Sequence, residues 1–158
     1  MSKIRVMLVD DHAMLRAGLQ MAVNSQPDME VVGQASNGRD VLEQAQSCRP
    51  DVVLMDISLP DVGGAEMTEL IRQELPAVRI LAFTRHGDPS YLRRMLQAGA
   101  SGYILKNADA SALLQAIRVV AAGGASIDPV LAGSLVETVI NRGGGAGSAQ
   151  VALSELTS

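Results

Sequence analysis

The feature that most constrains this chain's fold is a repeated couple: a short apolar run, then a stretch whose apolar residues recur every three or four positions. The first run, residues 4–9, reads Ile-Arg-Val-Met-Leu-Val and ends at Asp10-Asp11. Residues 14–23 follow with Leu15, Leu19, Ala22 and Val23 at helical spacing, stopped by Asn24-Ser25-Gln26-Pro27. Residues 29–35 form the second run, Ser36-Asn37-Gly38 turns, and Val41, Leu42 and Ala45 mark a helix that ends before Pro50. Strands over 52–55, 79–83 and 102–105 then alternate with helices marked by Met67, Leu70 and Ile71, by residues 91–98 and by residues 113–120. Parallel neighbours need crossover connections, and helices supply them. The expectation is therefore a doubly wound α/β fold with five strands, and a ligand site outside the carboxyl ends of those strands.

Past residue 124 the pattern changes. Val130, Leu131, Leu135, Val136, Val139 and Ile140 predict an extra C-terminal helix within residues 125–142, with Asp128 as N-cap and Pro129 in the first helical position. Gly143-Gly144-Gly145-Ala146-Gly147-Ser148 has no side chains to bury, so residues 143–158 read as a linker. With 47% hydrophobic and 19% charged residues the chain has the composition of a folded protein. Aromatics at 2% offer no platform for stacking bases, and a net charge of −4 without a basic stripe disfavours phosphate backbones. The single Cys48 cannot form an internal disulfide and is expected as a packing filler, as in a reducing cytoplasm. No apolar stretch reaches membrane-spanning length, so the expected localisation is cytoplasmic.

The carboxyl ends of the first, third, fourth and fifth strands collect Asp10 and Asp11, Asp56, Thr84 and Lys106. Carboxylates brought together repel, and a divalent cation relieves that repulsion. Oxygen-only ligands suit Mg²⁺ rather than zinc. His12 and His86 are near the same edge but are not expected as ligands of a cation that prefers oxygen. Lys106 adds a positive charge and Thr84 a hydroxyl, both suited to the equatorial oxygens of a phosphoryl group in transfer.

Leu8-Val9-Asp10-Asp11-His12, Asp56-Ile57-Ser58-Leu59-Pro60, Thr84 after an apolar strand, and Gly102-Tyr103-Ile104-Leu105-Lys106 resemble the signature of the response-regulator receiver domain, in order, over roughly residues 3–123. The resemblance implies a flavodoxin-like sheet of order 2-1-3-4-5 and a phosphoryl group taken by Asp56 from the phosphohistidine of a sensor histidine kinase. It implies Mg²⁺ held directly by Asp11, Asp56 and the backbone carbonyl of Ser58, with Asp10 acting through water. Lys106 and Thr84 would contact the phosphoryl group, and Thr84 and Tyr103 would act as switch residues, Tyr103 rotating inward. Gly123-Gly124 and the extra helix are similar to the NarL/FixJ branch, whose receivers precede a LuxR-type helix-turn-helix domain. On that reading residues 1–124 are the receiver and Leu156-Thr157-Ser158 is the threshold of a missing DNA-binding domain. A second copy of the chain, and DNA through that domain, are then expected partners.

Two other functions compete. A receiver that no longer takes phosphate would act as a binding module, against which the complete acidic and basic set speaks. A phosphohydrolase of the haloacid-dehalogenase type would want an acid two residues after the nucleophile, where this chain has Ser58. One departure from the receiver pattern is Arg85, at a position after Thr84 that is often small. Its guanidinium can lie across the mouth of the site and pair with a phosphoryl oxygen or with Asp61 or Asp88.

Overall fold

A computed structural model describes residues 2–59, 61–85, 89–129, 131 and 133. The strands are β1 (Ile4–Val9), β2 (Met29–Ala35), β3 (Val52–Asp56), β4 (Arg79–Thr84), β5 (Gly102–Leu105) and β6 (Ser126–Ile127). The helices are α1 (Ala13–Asn24), α2 (Gly38–Cys48), α3 (Gly64–Glu74), α4 (Pro89–Ala98) and α5 (Ala110–Ala121). All strand pairs are parallel, in the order β2-β1-β3-β4-β5-β6.

The order 2-1-3-4-5 is the expected one, but the sheet has six strands rather than five. The added strand has only two residues, Ser126 and Ile127, paired with Gly102 and Tyr103, too few to show any periodicity in sequence. Gly102 makes this pairing possible, because a Cβ there would lie 2.4 Å from the Ser126 carbonyl oxygen. Beyond it Pro129, Leu131 and Gly133 are helical, within the span expected for the extra helix. The rest of that helix, and all of residues 143–158, lie outside the described residues, as do His86 and Asp88.

Helices cover both faces of the sheet, so the strands alternate between two cores rather than between core and water. Val6, Leu8, Val52, Leu54, Leu81, Phe83 and Ile104 face α1 and α5. Met7, Val9, Val53, Met55, Ile80, Ala82 and Tyr103 face α2, α3 and α4. Half-buried Cys48 packs beside the second set, and burial pushes its thiol up from the ordinary value, in keeping with a filler rather than a nucleophile.

Local capping fixes where the helices start. Asn37 accepts from the Asp40 N–H at 3.0 Å at the head of α2, and Asp109 accepts from the Ala112 N–H at 2.9 Å at the head of α5. At the other end of α2, Arg5 donates to the Cys48 and Arg49 carbonyls at 2.6 and 3.3 Å, which supports Arg49 in a left-handed conformation with φ of 47°.

Candidate functional site

Each site residue is delivered by a strand that runs out. Asp10 follows β1, Asp56 and Thr84 are the last residues of β3 and β4, and Lys106 follows β5. The registers Val9↔Met55 and Asp56↔Phe83 place the ends of β1, β3 and β4 side by side, with Asp56 in the middle. The Lys106 N–H donates to the Thr84 carbonyl at 2.6 Å and continues the ladder past the end of β5.

The side chains converge accordingly. Lys106 Nζ is 2.7 Å from Asp10 Oδ2 and 3.4 Å from Asp56 Oδ2, and its charge stands over the Phe83 ring at 5.7 Å from the centroid. Asp10, Asp56 and Thr84 are buried. Asp10 is well supplied with donors, since its Oδ1 accepts from the His12 N–H at 2.8 Å and stands 3.0 Å from His12 Nδ1. Burial pushes the Asp10 carboxyl up, but the Lys106 ammonium and the two His12 donors together bring it below the ordinary carboxylate value.

Asp56 is supplied on one side only. Its Oδ1 accepts from the Ser58 N–H at 3.1 Å and the Ser58 hydroxyl at 2.9 Å. Its Oδ2 is shut off from solvent and has no hydrogen-bond donor among the described residues, with the Lys106 ammonium at ion-pair distance. Leaving such an atom unbonded costs about 1–3 kcal/mol, more when it is charged. This oxygen, with an ammonium beside it but no donor, lies at the convergence of four strand ends.

Asp10, Asp11, His12 and Asp56 each offer a ligand atom, and these atoms all lie within 4.8 Å of one another. Two of the carboxylates are buried and one is exposed, so the edge is an acidic pocket able to hold a metal ion. The donor set fits a hard cation, because it is dominated by carboxylate oxygen and Asp56 Oδ2 lacks a donor. Sequence reasoning placed Asp10, Asp11, Asp56, Thr84 and Lys106 at this edge, and the structure brings all five there. It did not anticipate that the His12 ring would stand against both aspartates, 3.0 Å from Asp10 and 3.1 Å from Asp11. The only available signal was its adjacency to Asp11.

Three further residues differ from expectation or refine it. Ser58, set aside above as the wrong residue for a second acid, turns out to donate to Asp56 twice. Tyr103, expected to rotate inward, already has a fully buried ring. Arg85 does not pair with Asp61. The Asp61 carboxylate accepts from the Gly38 and Arg39 N–H groups at 2.7 and 3.0 Å, while Arg85 Nη2 reaches His12 Nε2 at 3.5 Å.

Comparison with known proteins identifies the family. The response regulator receiver domain family matches residues 6–118. The chain is 40% identical to the transcriptional regulatory protein DegU of Brevibacillus brevis, over 86% of this chain and 58% of DegU. It is 39% identical to the oxygen regulatory protein NreC of Staphylococcus carnosus, over 89% of this chain and 65% of NreC. The chain thus spans about three-fifths of the length of these curated relatives. A two-component response regulator of the LuxR family from Aurantimonas sp. SI85-9A1 superposes with a TM-score of 0.83 at 38% identity, covering 87% of this chain and 98% of that one. With the receiver match spanning most of its length, this chain belongs to the response-regulator receiver family of two-component signalling, whose members are phosphoacceptor switches rather than enzymes acting on a separate substrate.

Proposed function

We propose that Asp56 is the phosphoryl acceptor and that the donor is the phosphohistidine of a sensor histidine kinase. The observation that carries this reading is Asp56 Oδ2, a buried carboxylate oxygen with no hydrogen-bond donor, facing Lys106 inside an acidic cluster. In the transfer, a carboxylate oxygen of Asp56 attacks phosphorus, the P–N bond to the donor imidazole breaks, and an acyl phosphate forms. Lys106 is close enough to shift its ammonium from the carboxylates to a phosphoryl oxygen, and Thr84 ends the neighbouring strand with a hydroxyl donor. Oδ1 is held by Ser58, which fixes the carboxylate plane while Oδ2 does the bonding.

Asp10, Asp11 and Asp56, with the Ser58 carbonyl, would hold Mg²⁺, Asp10 through water because its own oxygens are committed to Lys106 and His12. When bound, the cation supplies positive charge that offsets the carboxylates and the phosphoryl oxygens. Ser58 fills the place where a phosphohydrolase would need a second acid, and it donates to Asp56, so the site is built for one phosphorylation event and its slow reversal. Receiver residues 1–124, a helix within 125–142 and a linker over 143–158 remain the proposed division of the chain. Transcriptional output and DNA binding would be delivered through a further domain, in keeping with the names and greater lengths of the relatives, and a second copy of this chain is a further proposed partner.

The test is labelling with acetyl phosphate and Mg²⁺, read by intact mass. Wild type is expected to gain one phosphoryl group. Asp56→Asn, which keeps the volume but removes the nucleophile, is expected to gain none while unfolding at the same urea midpoint within about 1 kcal/mol. Equal labelling of both forms would overturn the assignment.

A further inference from the structure

The burial of Asp56 poses a problem of access. Asp56 Oδ2 is sealed from solvent, yet a phosphorus atom has to reach it and, later, water has to reach the phosphorus. In the strand order, β3 lies between β1 and β4, so any link from the loop after β1 to the loop after β4 must cross the end of β3, where Asp56 sits. Such a link exists. His12 comes just after β1 and Arg85 directly after the last residue of β4, and their side chains meet with Arg85 Nη2 3.5 Å from His12 Nε2.

The chemistry of the contact sets its direction. A guanidinium can only donate, so a hydrogen bond at this contact has His12 Nε2 accepting. On the other side of the ring, Nδ1 is 3.0 Å from Asp10 Oδ1 and 3.1 Å from Asp11 Oδ1. The contacts form one chain, Arg85 to His12 to Asp10 and Asp11. The His12 ring nitrogen in that chain is within 4.8 Å of an Asp56 carboxylate oxygen.

The geometry points to His12 and Arg85 together forming a strap across the mouth of the phosphoacceptor site, which positions no reactant but keeps in-line water from the acyl phosphate. The inference rests on Asp56 being the acceptor. Loss of phosphate requires a water oxygen to attack phosphorus in line while the P–O bond to Asp56 breaks, releasing inorganic phosphate and restoring the carboxylate. A side chain pair anchored on both flanking strands obstructs that line more firmly than either exposed side chain alone. Removing either end releases the strap, and removing both releases it no further.

Two measurements test this. The first needs no phosphorylation: nitrogen-15 spectra of the imidazoles compared between wild type and Arg85→Ala. The His12 Nε2 resonance is expected to move when the guanidinium is removed. An Nε2 signal unmoved by Arg85→Ala would overturn the strap. The second follows decay of acetyl-phosphate-labelled protein at saturating Mg²⁺, so that changed cation affinity does not enter. Arg85→Ala and His12→Ala are each expected to shorten the half-life several-fold, the double variant no further, and Arg85→Lys, which keeps a donor, to recover part of it. Unchanged half-lives, or additive shortening, would overturn the strap. Failure of wild type to label at all would instead remove Asp56 as acceptor, with the spectra still deciding whether the strap exists.

Discussion

On the α1–α5 side of the sheet the core is branched aliphatic, with Leu8, Val52, Leu54, Leu81, Ile104, Ile117 and Val120 around a single methionine, Met29. On the α2–α3–α4 side four methionines, Met7, Met55, Met67 and Met95, pack with Tyr103. The first side is also fastened at its rim, where Arg118 of α5 grips Asp28 at 2.7 and 3.1 Å and Gln26 at 2.9 Å. The second has an open surface pocket of about 50 Å³ between α3 and α4, beside Tyr91 and Met95, and a buried Thr68 hydroxyl with no hydrogen-bond partner among the described residues. Val and Ile, stiff at χ1, number six among the buried described residues of each side, so the difference lies in the methionines, which adapt to irregular gaps. A change at the strand ends is therefore accommodated more cheaply on the methionine side, where Tyr103 lies, than on the aliphatic side.

Truncation is the strongest way to break that comparison. Ile117 and Met95 are both buried, on α5 and α4. Ile117→Ala is expected to cost about 4 kcal/mol, near the top of the range for such changes, because its neighbours cannot relax into the cavity. Met95→Ala is expected to cost about 2 kcal/mol, because flexible neighbours refill part of the space. Urea midpoints measured with constant slopes decide it, and equal losses would mean that the two cores are equally stiff.

A smaller effect sharpens the contrast through polarity. Thr68→Val removes a buried hydroxyl that has no hydrogen-bond partner and is expected to stabilise by about 1 kcal/mol. The same change in reverse on the other face, Val52→Thr, buries a hydroxyl among aliphatic groups and is expected to cost about 1–3 kcal/mol. Destabilisation by Thr68→Val would show that the hydroxyl is bonded through a water and that this side is better satisfied than it looks.

What could be read from the sequence divides along the range of the signal. Asp10, Asp56, Thr84 and Lys106 were legible because each is fixed by where a strand ends, and strand ends follow from local apolar runs. The head of α5 was read late, at residue 113, because its first turn, Ala110-Ser111-Ala112, carries no large apolar residue and the Asp109 cap was not recognised. The contacts that were not legible join residues far apart in the chain. Arg85 meets His12 across 73 positions, and Asp61 serves Gly38 across 23. No local periodicity encodes either, and charge complementarity alone pointed Arg85 at Asp61, whose carboxylate was already committed. The strand Ser126–Ile127 escaped for a third reason, being no longer than a single period of its own pattern.

That same division between local and long-range caps yields the smallest expected effect, one on pH. Asp61 reaches from the β3–α3 loop to the head of α2 on the methionine side, where the Gly38 N–H above all, with those of Arg39 and Val62, holds its carboxyl below the ordinary value. At the head of α5 on the aliphatic side, the Ala112 N–H and then the Ser111 hydroxyl do the same for Asp109. In both cases the folded pKa is depressed. The stabilisation is therefore complete above the unfolded value of about 4 and is lost as pH falls through the folded one. Asn mimics the protonated acid, so the gap in urea midpoint between wild type and Asp61→Asn is expected to be open at neutral pH and to close below about pH 4. The partners of Asp109 are two and three residues away and persist in part in the unfolded chain, which depresses the unfolded pKa as well and shrinks the difference. Those of Asp61 at Gly38 and Arg39 exist only when the fold brings two loops together. The pH-dependent part of the gap is accordingly expected to be larger for Asp61→Asn than for Asp109→Asn. The reverse order would mean that the α2 head is loosely held in the folded state, and that the adaptable side of the molecule extends to its amino-terminal helix ends.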